Sequence, residues 1–230
     1  MAKILENLYR ALGLGVALAV VLIVVFQQDQ QSLAGIGSIV SKAVGSFGDS
    51  GYLTVFFLWL HVVSGVLWIG LLWYFNFVQI PTMPKIPAEL KPAVGKFIAP
   101  EALFWFRYGA LATVITGLIV AQLKGYLHSA MTFGDNRYVV IGVGMWLGLI
   151  MAFNVWFIIW PNQKKALGIV PADDAAKAKA ARVAMLTSRT NFVLSLAMLY
   201  AMVGQMYLQP ELKAPAAPAE TAPVEAPAQP

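Results

Sequence analysis

The chain has 230 residues, 59% of them hydrophobic and only 12% charged, a composition too apolar for an ordinary water-soluble domain and suited to a bilayer. Its formal charge of +5 fits basic loops on the cytoplasmic side of a membrane, and no nucleic-acid-binding module is legible. Without any cysteine, the chain cannot hold disulfides, iron–sulfur clusters, thiolate zinc or covalently attached c-type haem, so a redox centre would need other ligands.

Apolar runs at about 8–26, 53–80, 102–123, 138–160 and 190–208 are each long enough to cross a hydrocarbon layer, which takes roughly 20 residues. They predict an all-α, polytopic membrane helix bundle with five transmembrane helices. Residues 1–27 read as an N-terminal transmembrane anchor with a basic start. A signal peptide has the same start, but no A-x-A-like site follows in QQDQQSL. Residues 28–52 are an outer loop, within which LAGIGSIVSKAVGSF (33–47) reads equally as an amphipathic surface helix or as a covering loop.

Residues 53–208 form the expected four-helix membrane domain. Its first span is long enough to tilt or to extend past the hydrocarbon, and Pro81, Pro84 and Pro87 are expected to end it, making PTMPKIPAELKP a loop. Residues 209–230 are Pro/Ala-rich without apolar periodicity and read as a disordered tether.

Charge sets an expected orientation. Lys3 and Arg10, then Lys85, Lys91 and Lys96, then Lys164, Lys165, Lys177, Lys179, Arg182 and Arg189 fall on alternate sides and belong inside. The opposite loops carry Lys42, then Lys124 and Arg137. The N-terminus is therefore expected inside and the C-terminus outside, in a multi-pass protein of a bacterial inner membrane with the lipid bilayer as its first partner.

In the second run, His61, Gly65, Trp68, Leu72, Asn76 and Gln79 fall close to one helical face. An ionisable side chain is costly in lipid and normally points into the bundle. His61 with the small Gly65 one turn away suits b-type haem, with His61 as the metal ligand. It equally suits a histidine bonded to a neighbouring helix, with Gly65 allowing close packing. His128, the other histidine, lies beyond the third run on the same outer side; it fits a second axial ligand or a solvated surface residue.

A second pattern lies at the inner half. Asn76, Gln79, Arg107, Asn154, Asn162, Gln163, Arg189 and Asn191 occupy the inner ends of four runs, with Trp105, Tyr108, Trp156 and Trp160 beside them. Amides offer donors and acceptors and arginine a planar fork, so the set could bind a flat, partly anionic heterocycle or a quinone head group. Headgroup anchoring and interhelical bonding explain such residues as well. Gly109, Thr113 and Gly117, with Gly144 and Gly148, form small-residue stripes expected to let helices approach closely. No catalytic residue is singled out.

The stretches HVVSGVLWIGLLWYFNFVQ, EALFWFRYGALATVITGLIV, MAFNVWFIIWPNQKKALG and RVAMLTSRTNFVLSLAML resemble the membrane domain of bacterial cytochrome-linked urate oxidases, from about Tyr52 to Met206. H-x3-G-x2-WIG and WPNQKK carry most of the specificity. The resemblance implies urate oxidation at the membrane with electrons passed to a c-type cytochrome, and it carries over to His61, Asn76, Gln79, Arg107, Asn154, Asn162, Gln163, Lys164, Arg189 and Asn191. No C-x-x-C-H occurs in this sequence, and the family's domain is longer, so electrons would pass to a separate cytochrome or a larger membrane complex. Against the redox reading stands a non-catalytic accessory subunit of a respiratory or photosynthetic complex. A purine carrier ranks last, because there is no internal repeat for alternating access.

Overall fold

The computed structural model describes residues 50–207, together with residues 10, 13, 14 and 17. The predicted first span, the surface segment 33–47 and the tail 209–230 lie largely or wholly outside the described residues. Among those described, every regular element is helical and there is no strand.

The principal helices are α1 (Ser50–Tyr74), α2 (Ala99–Leu123), the short α3 (Leu127–Thr132), α4 (Val139–Phe153) and α5 (Asp174–Tyr207). α1 and α2 form the most extensive pair, α4 lies along α5, and α5 and α2 close the ring against α1 and α4. The core between them holds Trp68, Leu72, Phe75, Leu103, Phe106, Met151, Val155 and Ile159. Large apolar side chains cover the outside, with Val66 69% exposed and Phe157 68%, as suits a surface facing lipid rather than water.

Continuous helix over Gly51–Lys85, Lys91–Leu123 and Asn136–Ala166 is long and apolar enough to cross a membrane. These are three of the five expected spans. The stretch 190–207 of the fifth expected run lies in α5, which carries Asn191, Ser195 and Gln205 there and is not among the three. α5 also begins sixteen residues early, in the Ala- and Lys-rich DAAKAKAARVAML stretch, whose residues are strong helix formers.

Pro81 does not end the first long helix. The chain stays helical through Thr82 and, as 3-10 turn, through Lys85, before Ile86 turns extended at φ −75° and ψ 131°. A π-helical turn over Phe75–Gln79 makes this tolerable. The same device recurs at Val94–Ile98 before Pro100 and at Asn154–Ile159 before Pro161. Proline lacks an N–H and its ring presses on the carbonyl four residues back, here Phe77, Lys96 and Phe157. Widening the turn that contains that carbonyl relieves the clash.

Two glycines close helices in the left-handed region. Gly125 and Gly168 both have φ +73°. Each sits between the two crossing bonds of a Schellman turn: Gly125 N–H donates to Gln122 O and Tyr126 N–H to Ala121 O, while Gly168 N–H donates to Lys165 O and Ile169 N–H to Lys164 O.

Small residues do let the helices approach. A Cβ on Gly109 would stand 3.4 Å from the Trp68 backbone nitrogen, and one on Gly144 3.1 Å from Ala201 Cβ. Gly117 receives the His61 ring, whereas Gly148 has no atom within 4 Å and serves no such contact. At the end of the bundle that carries α3, Gln205 of α5 ties down the start of α4, donating to Arg137 O at 2.6 Å and accepting from Ile141 N–H at 2.9 Å.

Candidate functional site

His61 faces α2, not lipid. Its Nδ1 lies 2.8 Å from Thr113 O, with Thr116 Oγ1 at 3.5 Å. Because a carbonyl only accepts, Nδ1 carries the proton and Nε2 is left as the basic nitrogen. Nε2 makes no hydrogen bond among the described residues. The ring rests on Gly117, where a Cβ would come within 2.7 Å of Cε1. Gly65 faces the same helix, its Cβ position 3.8 Å from Thr113 Cγ2, so Thr113 bounds the room expected beside it. The fixed tautomer leaves Nε2 as the ring nitrogen that could hold a metal. His128 is exposed on α3, beyond the turn that ends α2, which is the solvated alternative.

The inner cluster divides into groups that satisfy one another and groups left open. Asn154 donates to Asn191 Oδ1 at 2.8 Å, and Asn191, fully buried, donates to Met151 O at 2.9 Å. Asn76 Nδ2 donates to Leu72 O at 2.8 Å and to Ser188 Oγ at 3.1 Å. Trp73 Nε1 donates to Ser195 Oγ at 3.2 Å. α5 thus presents Ser188, Asn191 and Ser195 along one stripe as a polar seam against α1 and α4. Ser188, Ser195 and Trp73 escape the sequence reading, although Ala184, Ser188, Asn191, Ser195 and Met198 recur at helical spacing with small or polar character. The π turns hold Asn76, Gln79 and Asn154, so the irregular backbone and the amides coincide.

Arg107 is only 8% exposed. Its guanidinium lies over the Trp160 ring, 3.4 Å from the centroid, a stacked cation–π contact. No carboxylate pairs with it among the described residues, and Nη1 is buried without a hydrogen bond. Asn76 Oδ1, Gln79 Oε1 and the indole nitrogens of Trp68 and Trp156 are also buried and unpartnered.

The other expected members do not join. Asn162 is half-buried and donates to Ile158 O at 2.8 Å within its own helix. Gln163 is half-buried, and its side chain makes no hydrogen bond among the described residues. Arg189 is exposed without an ion pair there, one position round the helix from the seam residue Ser188. Of the aromatic neighbours, Tyr108 meets Trp156 edge to face at 5.7 Å, and Trp105 bonds the surface residue Glu101.

Outside the spans, Asp135 accepts from the Arg137 backbone and guanidinium. Those hydrogen bonds hold its carboxyl below the usual carboxylate range. Burial against Tyr138 raises the Tyr126 phenol.

Residues 126–211 match the family model described as urate oxidase N-terminal. The match spans a little over a third of the chain, from α3 to just past the end of α5. No curated protein and no solved structure matches the chain. The matched segment takes in His128, Asn154, Asn162, Gln163, Arg189 and Asn191. His61, Gly65, Asn76, Gln79 and Arg107 precede it, so their place beside it rests on packing: Arg107 stacks on Trp160 and Asn76 bonds Ser188, both within the matched residues.

Proposed function

We propose that the chain is an integral membrane redox protein of the urate oxidase N-terminal kind, whose inner cluster takes a flat, partly anionic heterocycle of the urate class. Arg107 carries this reading. A guanidinium withdrawn from water without a carboxylate is costly unless an anion meets it. Its neighbours are planar and polar, as a heterocyclic anion requires.

His61 is the residue that would hold b-type haem, with the Thr113 carbonyl fixing its tautomer; such a group, when bound, supplies one-electron transfer toward the outer side. Electrons would then leave to a separate cytochrome or a larger membrane complex. The arrangement has five spans in a bacterial inner membrane, N-terminus inside and C-terminus outside. The two basic turns of the described chain, around Lys85–Lys96 and Lys164–Lys179, support it by lying at the same end of the bundle.

One observation favours an accessory subunit instead: Asn154, Asn191, Ser195 and His61 already spend hydrogen bonds on neighbouring helices, as packing residues do.

The two readings separate on the purified full chain. A Soret band in the wild type that is lost in His61→Ala, and urate-dependent electron transfer lost in folded Arg107→Ala, support the redox protein. Colourless protein without urate-dependent turnover refutes it.

A further inference from the structure

Three asparagines of the bundle, Asn76, Asn162 and Asn191, share a constraint on how their amides are turned, and at Asn76 it bears on what the site can recognise. A backbone carbonyl can only accept, so contact with one identifies the nitrogen of the facing amide. Asn76 Nδ2 meets Leu72 O and Ser188 Oγ, which use both of its hydrogens. Asn162 Nδ2 meets Ile158 O. Asn191 Nδ2 meets Met151 O, so its Oδ1 must be the atom that receives Asn154 Nδ2. Each time the NH2 group is turned to the scaffold, but the Asn191 oxygen is taken by Asn154, and of the three only the Asn76 oxygen is buried without a partner. Asn76 Oδ1 and Gln79 Oε1 are buried with nothing to accept from, while Arg107 Nη1 is buried with nothing to donate to.

We infer that Ser188 of α5 is a positioning residue that sets the polarity of the site, holding the Asn76 amide so that its carbonyl oxygen, like that of Gln79, is left for the N–H donors of a ligand whose negative charge Arg107 meets. This rests on the anion reading of the cluster given above. A matching ligand brings N–H donors to the amide oxygens and negative charge to Arg107. A quinone head group, which has only acceptors, leaves Asn76 and Gln79 unmet. Ser188 needs no contact with the ligand; its Oγ occupies the second amide hydrogen of Asn76 and stops the side chain from swinging.

The test uses the full chain in lipid nanodiscs, as wild type, Ser188→Ala and Ser188→Thr, with urate and a water-soluble 1,4-benzoquinone as probes. Wild type and the threonine variant, which keeps the hydroxyl, are expected to bind urate within about twofold of one another and to exclude the quinone. Ser188→Ala is expected to bind urate about tenfold more weakly, near the 1.4 kcal/mol that one positioned hydrogen bond carries. Urate affinity unchanged in folded Ser188→Ala, even with a lower melting temperature, overturns the positioning role. Quinone binding as tight as urate overturns the ligand class.

If wild type binds neither probe, the anion reading fails by itself, and nitrogen-15 asparagine spectra decide the positioning role. Slow exchange of the Asn76 NH2 in wild type and Ser188→Thr, becoming fast in Ser188→Ala, supports it. Fast exchange in wild type overturns it.

Discussion

Gly117→Ala tests how firmly His61 is seated against α2. A Cβ at position 117 would stand 2.7 Å from His61 Cε1 and 2.9 Å from Nδ1, so the ring must move, and moving it breaks the 2.8 Å bond to Thr113 O. Alanine gains about 1 kcal/mol of helix propensity over glycine. Against that stand about 1 kcal/mol for the lost hydrogen bond and about 1–3 kcal/mol for overpacking, leaving a net loss of about 1–3 kcal/mol. Gly148→Ala is the matched control, because no atom lies within 4 Å of its Cβ position; it should gain up to about 1 kcal/mol. Reversible unfolding in detergent micelles measures both. In a His61→Ala background the obstacle is gone, and Gly117→Ala should then stabilise, a reversal of sign that a double-mutant cycle isolates. Equal stability of the two alanine variants, or the same loss at 117 with and without the imidazole, would refute this seating of His61.

Arg107→Leu should leave the ligand-free protein as stable as wild type or about 1–3 kcal/mol more so, since it removes an unpaired buried charge, while abolishing anion binding; a loss above about 1 kcal/mol in the same unfolding assay would reveal an interaction worth more than the Trp160 contact. Pro161→Ala removes the reason for the widened turn at Asn154–Ile159 and should let it tighten, carrying Asn154 away from Asn191. Asn191→Leu, expected to cost about 1–2 kcal/mol in wild type, should then cost close to nothing, and an undiminished cost would show that the proline does not hold the turn. Asp135, depressed by its bonds to Arg137, contributes stability that is complete above the ordinary carboxylate range near about 4 and is lost as pH falls through its lower folded value. The Arg137 Nε–H resonance should report that titration, and Asp135→Asn should abolish it; a midpoint at or above about 4 would contradict the pairing.

The sequence by itself determined the material of the fold. Apolar runs near twenty residues mark out the three helices that are long and apolar enough to cross a membrane, and their order, because lipid imposes the same requirement on every residue of a span. It also puts Arg107 and the amides near the ends of their apolar runs, since that follows from position along the chain.

What it could not settle was partnership among those residues. Arg189 and Arg107 look alike as letters, but one is exposed beside the seam while the other stacks on Trp160, and a rotation of a few tens of degrees about each helix decides which. Pro81 reads as a stop until a π turn absorbs it, and the same turns decide where Asn76 and Asn154 point. Whether an amide offers its oxygen or its nitrogen depends on which carbonyl or hydroxyl stands across the helix interface. Only the packed bundle brings Ser188 to Asn76 and Met151 O to Asn191, because those contacts join residues more than a hundred positions apart in one case and forty in the other.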